Sequence, residues 1–179
     1  MELDGKRIAV LIEDNFDDQE LLYGKLRMAE AGALVTVVGP QGDHEYHSKH
    51  GFPVRSDAAA RDVTAASFDA VIIPGGYAPD RMRRDPALVR LVRDSVAEGH
   101  VVAAICHAGW VLVTAGVLQG RTVTGFFSLE PELRYAGATF VDQEVVRDGN
   151  LITSRGPQDL GPFCRTIIAA LQEAGPASA

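Results

Sequence analysis

Two kinds of apolar pattern alternate along this chain. Short unbroken runs rich in β-branched residues stand at Lys6-Arg-Ile-Ala-Val-Leu-Ile12, Leu34-Val-Thr-Val-Val38, Phe68-Asp-Ala-Val-Ile-Ile73 and Val101-Val-Ala-Ala-Ile105. They read as strands, and because they do not alternate with polar residues they need cover on both faces, as in a parallel sheet. Between them, apolar residues recur at helical spacing. Asp17 to Ala31 predicts a helix with Asp17 and Asp18 in its first turn, Leu22, Leu26 and Ala29 inward, and Gly32 as its stop. A second helix is expected from Pro86 to Glu98, with Leu88, Leu91, Val92 and Val96 on one face. A short apolar one begins at Trp110 and stops at Gly116, and the last runs from Pro157 to Ala174 with Phe163, Ile167 and Leu171 inward.

The remaining stretches carry weaker patterns. Residues 42–57 are polar and histidine-bearing, with alternation around Phe52-Pro-Val54, and read as a small hairpin or extended excursion. Arg121-Thr-Val-Thr124, Glu144-Val-Val-Arg147 and Leu151-Ile-Thr153 are expected to complete the sheet, with a helix near Ser128 to Ala136 and a turn at Asp148-Gly149. Residues 175–179 read as a frayed tail. Without repeats or linkers, the expectation is one domain over residues 1–174. Its fold class is α/β: a three-layer α/β/α sandwich with a mostly parallel, flavodoxin-like sheet.

Charge and cysteine content narrow the setting. A net charge of −7 over 179 residues argues against nucleic acid or an anionic membrane as the main partner. The charged start, Met-Glu-Leu-Asp-Gly-Lys-Arg7, lacks the apolar core of a signal peptide, and no run is long enough to span a bilayer. Two cysteines, Cys106 and Cys164, in unlike contexts suggest no disulfide framework, so a reducing cytoplasm is the expected location.

Cys106 stands where an apolar strand stops and a short helix begins, with Ala104 and Ala108 two residues to either side. That is the small-x-nucleophile-x-small spacing of a nucleophile elbow, whose tight turn leaves no room for larger neighbours. A thiol at a helix N-terminus also feels unpaired N–H groups that favour the thiolate. A buried cysteine at a strand end is commonly inert, but the elbow context reverses that expectation. In an open α/β sheet ligands sit beyond the strands' C-terminal ends, where the segments Glu13–Asp18, Pro74–Asp80 and Cys106–Gly109 would meet. Gly75 and Gly76, with the N–H groups that follow Cys106 (His107 and Ala108), are candidates for an oxyanion hole. The histidines are at 44, 47, 50, 100 and 107, none beyond the elbow. The base is therefore His107, or an acid from the first loop, with Asp17 best placed at the helix start. A protonated carboxyl there would hydrogen-bond the thiolate.

Other chemistries fail on specifics. The first strand–helix turn has no Gly-x-Gly-x-x-Gly, and the phosphate-binding Gly-x-x-x-x-Gly-Lys-Ser/Thr is absent. His44-x-x-His47-x-x-His50 matches no standard metal spacing, so neither metal nor cofactor is expected. Cys164 falls in the inward stripe of the last helix and reads as inert. Trp110 reads as packing.

Ala104-Ile-Cys-His107, Pro74-Gly-Gly-Tyr-Ala-Pro-Asp80, Asp14-Asn-Phe-Asp-Asp18, Lys49-His-Gly51 and Thr153-Ser-Arg-Gly-Pro-Gln-Asp-Leu160 cover nearly the whole chain. Together they resemble the ThiJ/PfpI family of intracellular cysteine hydrolases, in its PfpI-type branch. The resemblance implies that Cys106 is the nucleophile and that His107 pairs with an acid, Asp80, supplied by a neighbouring subunit. It also implies dimers that build into hexamers. The carboxyl touching the cysteine is usually glutamate in such proteins, and the aligned position here is Asp17. Cys106-His-Ala-Gly-Trp110 departs from the common Cys-His-Gly-Pro. The implied substrates are a small aldehyde, a glycated protein or a peptide. The implied roles are cofactor-independent glyoxalase or deglycase, with cysteine peptidase as the alternative and a redox sensor or stress holdase, acting through oxidation of Cys106, as the alternative of another class.

Overall fold

The computed structural model describes residues 1–174, so the expected tail at 175–179 lies outside the described residues. The chain forms β1 (Arg7–Leu11), α1 (Asp18–Glu30), β2 (Leu34–Gly39), β3 (Glu45–His47), β4 (Pro53–Arg55), β5 (Ala58–Ala59), β6 (Ala70–Ile73), α2 (Ala78–Met82), α3 (Pro86–Ala97) and β7 (Val101–Ile105). It continues through α4 (Gly109–Ala115), β8 (Thr122–Val123), α5 (Glu130–Tyr135), β9 (Thr139–Phe140), β10 (Val145–Asp148), β11 (Leu151–Ser154) and α6 (Leu160–Glu173). Seven strands make one sheet in the order β10-β11-β7-β6-β1-β2-β5, parallel except for β10, which pairs antiparallel with β11 through the hairpin turn at Gly149.

Topology places the helices. The step from β1 to β2 runs one way along the sheet and the step from β6 to β7 runs the other way. Right-handed crossovers therefore put α1 and α3 on opposite faces. α1 packs with α6, and α3 packs with α4. β1, β6 and β7 are covered on both faces, as their unbroken apolar runs require, with Ile8 to Leu11 and Ala70 to Ile73 at most 1% exposed. Phe163, Ile167 and Leu171 of α6 and Leu88, Leu91 and Val92 of α3 are buried as their spacing predicts, and Cys164 lies in the core beside them.

The structure departs from the sequence pattern in four places. Thr122–Val123 does not join the main sheet; it pairs in parallel with β9 in a separate two-stranded ribbon. The edge strand β5 and the short helix α2 arise from segments too brief to carry periodicity. The helix expected near Ser128 to Ala136 is a 3-10 turn at Phe127–Leu129 followed by α5. In α1 the buried face is Glu20, Leu21, Gly24 and Met28, whereas Leu26, expected inward, is 62% exposed. The reason is close packing on the sheet. A Cβ on Gly24 would sit 3.9 Å from Ile72, so a face containing a glycine, not the leucine-rich one, approaches the strands. No described helix is long and apolar enough to cross a membrane.

Candidate active site

β7, β6 and β1 are adjacent, so the segments after their C-terminal ends converge. Backbone bonds fasten them. Tyr77 donates to the Asn15 carbonyl (2.9 Å), Asp17 to the Gly75 carbonyl (3.2 Å), and Lys49, from the β3–β4 hairpin, to the Phe16 carbonyl (2.9 Å). Phe16, fully buried, bridges to both Ser48 and Gly76.

Cys106 follows β7 in a 3-10 turn with φ +60°, a left-handed conformation that costs a residue with a side chain about 1–3 kcal/mol. The turn aims the thiol outward. The backbone N–H groups of His107 and Gly76 donate to its sulfur, and His107 Nδ1 lies 3.2 Å from Sγ. The His107 ring therefore meets the thiol despite being its neighbour in sequence. That ring stacks on Phe126 (centroids 4.4 Å apart) and touches Trp110 (4.9 Å) and the exposed Tyr77 (5.7 Å). Trp110 packs against His107 as well as against the core.

The carboxyl beside the thiol belongs to Glu20, a residue the sequence reading passed over. Glu20 is 1% exposed, and its Oε2 accepts from the Gly75 N–H (2.6 Å). Its Oε1 is buried with no hydrogen-bond partner, and the Cys106 thiol lies beside the carboxyl. Burial, and then the negative charge of Asp17, raise Glu20 to about 7. Burial, and then the charge of Glu20, push the thiol up to about 12, against the two backbone N–H groups that favour the thiolate. The two groups share a proton. With the proton on Glu20, the sulfur loses its nearest like charge and gains a donor, so the thiolate belongs with the neutral carboxyl.

Asp17 stands elsewhere. Its Oδ1 caps α1, accepting from Gln19 (3.0 Å) and Glu20 (3.1 Å), and its Oδ2 holds Lys49 Nζ at 2.6 Å. It acts on the thiol only through Glu20's charge state. Gly75 is likewise not an open oxyanion donor, because Glu20 occupies its N–H. Its lack of a side chain is what the site uses: a Cβ there would lie 2.6 Å from Glu20 Oε2 and 2.7 Å from Cys106 Cβ. Gly76, at φ +73°, keeps its N–H on the sulfur, and a Cβ would strike the Asn15 carbonyl at 2.5 Å. Ala108 is fully buried and does not line the cavity over the thiol. Asp80, in α2, is ion-paired with Arg84 and makes no bond to His107 among the described residues.

The cavity over Cys106 holds about 240 Å³ and is lined by Asp17, Lys49, Gly76, Tyr77, Cys106, His107, Phe126 and Pro157. Burial, then the charge of Lys49, hold His107 below the usual imidazole range, so it is neutral near pH 7 and able to accept a proton. The three histidines of the excursion are scattered. His44 packs edge-on against Tyr46, His47 pairs with Glu45 and His50 with Asp18. Among the described residues no group of three His, Cys, Asp or Glu side chains is placed to hold a metal ion.

Residues 6–170 match the model of the DJ-1/PfpI family. The chain belongs to the DJ-1/PfpI family. Its relatives include "Putative cysteine protease YraA" of Bacillus subtilis, 39% identical over 93% of this chain and 99% of that one. "Deglycase PfpI" of Pyrococcus furiosus is 36% identical over 93% of this chain and 99% of its own. DJ-1beta of Drosophila melanogaster superposes with a TM-score of 0.86 at 31% identity, covering 94% of both chains. Against this DJ-1/PfpI frame the first-loop aspartate is no substitute for a glutamate. The glutamate is present three residues on, at position 20.

Proposed function

We propose that this DJ-1/PfpI protein is a cysteine-nucleophile enzyme that attacks the carbonyl of a small reactive aldehyde, or of the adduct such an aldehyde leaves on a protein. The observation that carries the reading is Cys106 at the floor of a cavity of about 240 Å³, beside a carboxyl that keeps its proton to about pH 7. That volume suits a three-carbon dicarbonyl. The names of deglycase relatives support the same class of substrate.

For methylglyoxal the steps balance with water alone. The Cys106 thiol passes its proton to the Glu20 carboxylate as the sulfur bonds to the aldehyde carbon, and the carbonyl electron pair moves to oxygen, which takes that proton from Glu20. The N–H groups of Gly76 and His107, which donate to the sulfur in the free chain, would become available to that developing charge once the sulfur is bonded to carbon. Neutral His107 takes the proton of the sulfur-bearing carbon and returns it to the adjacent carbon, while the hydroxyl proton passes by way of Glu20 to the oxygen of that adjacent carbon, leaving a lactoyl thioester. Water cleaves the thioester to lactate and restores the thiol. Asp80 of a second copy would orient His107, which makes a homodimer, built on into a hexamer, part of the proposal.

A peptidase using the same residues is the second reading, favoured by the name of the Bacillus relative. Oxidation of Cys106 to a sulfinate is the reading of another class, and the neighbouring Glu20 is the feature that supports it. The experiment is methylglyoxal turnover with lactate quantified, beside Cys106→Ser. Lactate formation by the native chain that vanishes in the variant is the expected result. No lactate from either protein would overturn the aldehyde reading in favour of peptidase or sensor.

A further inference from the structure

A second hollow, of about 450 Å³, opens beside the cavity over Cys106, and Phe126 and Pro157 line both. We propose that this hollow is a subsite for the polypeptide segment that carries the reactive group, so that the preferred substrate is borne on a peptide and is not a free aldehyde. The inference rests on the nucleophile reading of Cys106 given above.

Size is the first argument. Pockets that take drug-sized ligands hold roughly 300–1,000 Å³, and the cavity over the thiol, at about 240 Å³, falls below that range. It accommodates the aldehyde-derived carbons and little else. A modified side chain with its flanking backbone needs further room, and the adjoining hollow provides it without rearrangement.

The lining is the second argument. Phe126, Phe127 and Phe140 form an apolar wall, and Phe127, packed on one side against Phe126 (centroids 4.7 Å apart), is 74% exposed. The charged groups around the wall are two cations and three carboxylates, all ion-paired. Arg155 is held by Asp159 (2.8 and 3.1 Å) and Asp142 (2.9 Å), and Glu130 by Arg134 (2.8 Å). The one carboxylate in excess leaves the rim slightly negative, which disfavours a phosphate or a free carboxylate. Three of the five guanidinium N–H groups of Arg155 are occupied by those carboxylates, so two remain to donate, and the side chain is fixed before a ligand arrives. An apolar wall with a fixed donor and no free cation beside it suits neutral amide carbonyls and an apolar neighbouring side chain.

The test separates this subsite from the catalytic reading. Chloroacetone and an N-acetyl-Phe-Ala chloromethyl ketone alkylate Cys106 by the same step: a sulfur–carbon bond forms and chloride leaves. Neither reagent requires turnover. The native chain is expected to react faster with the peptidyl reagent. Phe127→Asp, at a position 74% exposed, is expected to lower that rate about tenfold, the worth of burying part of one phenyl ring. The chloroacetone rate should stay unchanged. Phe127→Leu should restore most of the preference. Equal loss on both reagents, or a native chain with no preference for the peptidyl reagent, overturns the subsite. A retained peptidyl preference in a protein that forms no lactate supports the subsite while removing the deglycase reading.

Discussion

Replacing Glu20 by glutamine separates the proton of this carboxyl from its shape. Glutamine keeps an oxygen for the Gly75 N–H, which lies 2.6 Å away in the native chain, but it cannot ionise. Burial and the charge of Asp17 raise the native carboxyl from 4.5 to about 7. An acid whose folded pKa lies above its unfolded value holds more protons when folded, so stability falls as pH rises between the two values. Below 4.5 both states are protonated and nothing is lost; above about 7 both are ionised and the whole cost is present. At about 1.4 kcal/mol per unit, the cost is on the order of 3 kcal/mol, a sizeable part of the roughly 5–15 kcal/mol that holds a domain folded. The Cys106 thiol, pushed up to about 12, titrates outside this window. The assay is urea unfolding of both proteins under reducing conditions from about pH 4 to about pH 8.5. Glu20→Gln should gain on the native chain steadily across the window and level off above neutrality. Its rate of Cys106 alkylation should also lack the inflection near 7 expected of the native chain. Parallel stability profiles would refute the reasoning, because Glu20 would then titrate as an ordinary surface carboxylate.

Three further outcomes follow from the same geometry. Asp17→Asn retains the helix cap, since asparagine caps as well as aspartate, yet removes the charge that helps to raise Glu20. The inflection in the alkylation profile should move below its native position while stability changes by no more than about 1 kcal/mol. Gly75→Ala introduces a Cβ that meets Glu20 Oε2 at 2.6 Å and Cys106 Cβ at 2.7 Å; urea unfolding should show a loss of about 1–3 kcal/mol, together with slower alkylation. Leu21→Ala should cost about 2–5 kcal/mol because the side chain is fully buried. Leu26→Lys, at 62% exposure, should stay within about 0.5 kcal/mol. Equal costs at the two leucines would reverse the phase of α1.

The parallel sheet was legible because β1, β6 and β7 are unbroken apolar runs whose length and composition fit no exposed element. The elbow was legible because Ala104 and Ala108 flank Cys106 at the spacing a tight turn requires. The carboxyl was not, and one error explains two misses. Giving the inward face of α1 to Leu22, Leu26 and Ala29 turns Glu20 outward and leaves Asp17 as the acid nearest the thiol. The correct face, Leu21, Gly24 and Met28, is also spaced for a helix, but a glycine carries no hydrophobic signal. Its meaning appears only with the sheet 3.9 Å away at Ile72. The ribbon of β8 and β9 was illegible for another reason. Two-residue strands have no periodicity, and only their partners identify them.

Placing the acid on a helix instead of a loop has a chemical consequence. α1 is fixed at its start by Asp17, whose cap bonds and ion pair to Lys49 tie the helix to the β3–β4 hairpin. Glu20, one turn later, then enters the space between β6 and β7 that Gly75 leaves empty. A carboxyl on a mobile loop would find water and ionise. Held here, with one oxygen on a backbone N–H, the other buried without a hydrogen-bond partner and the thiol beside it, it stays half-protonated near neutrality. Aldehyde addition, peptide hydrolysis and oxidation by peroxide all begin from the thiolate. The location of that single proton is therefore upstream of every chemistry the site supports, while the walls, through Phe126, Pro157 and the hollow beyond them, decide among the substrates. Reactivity and selectivity are carried by different residues, so Glu20→Gln should alter the pH at which Cys106 reacts with any reagent, and Phe127→Asp only which reagent it prefers.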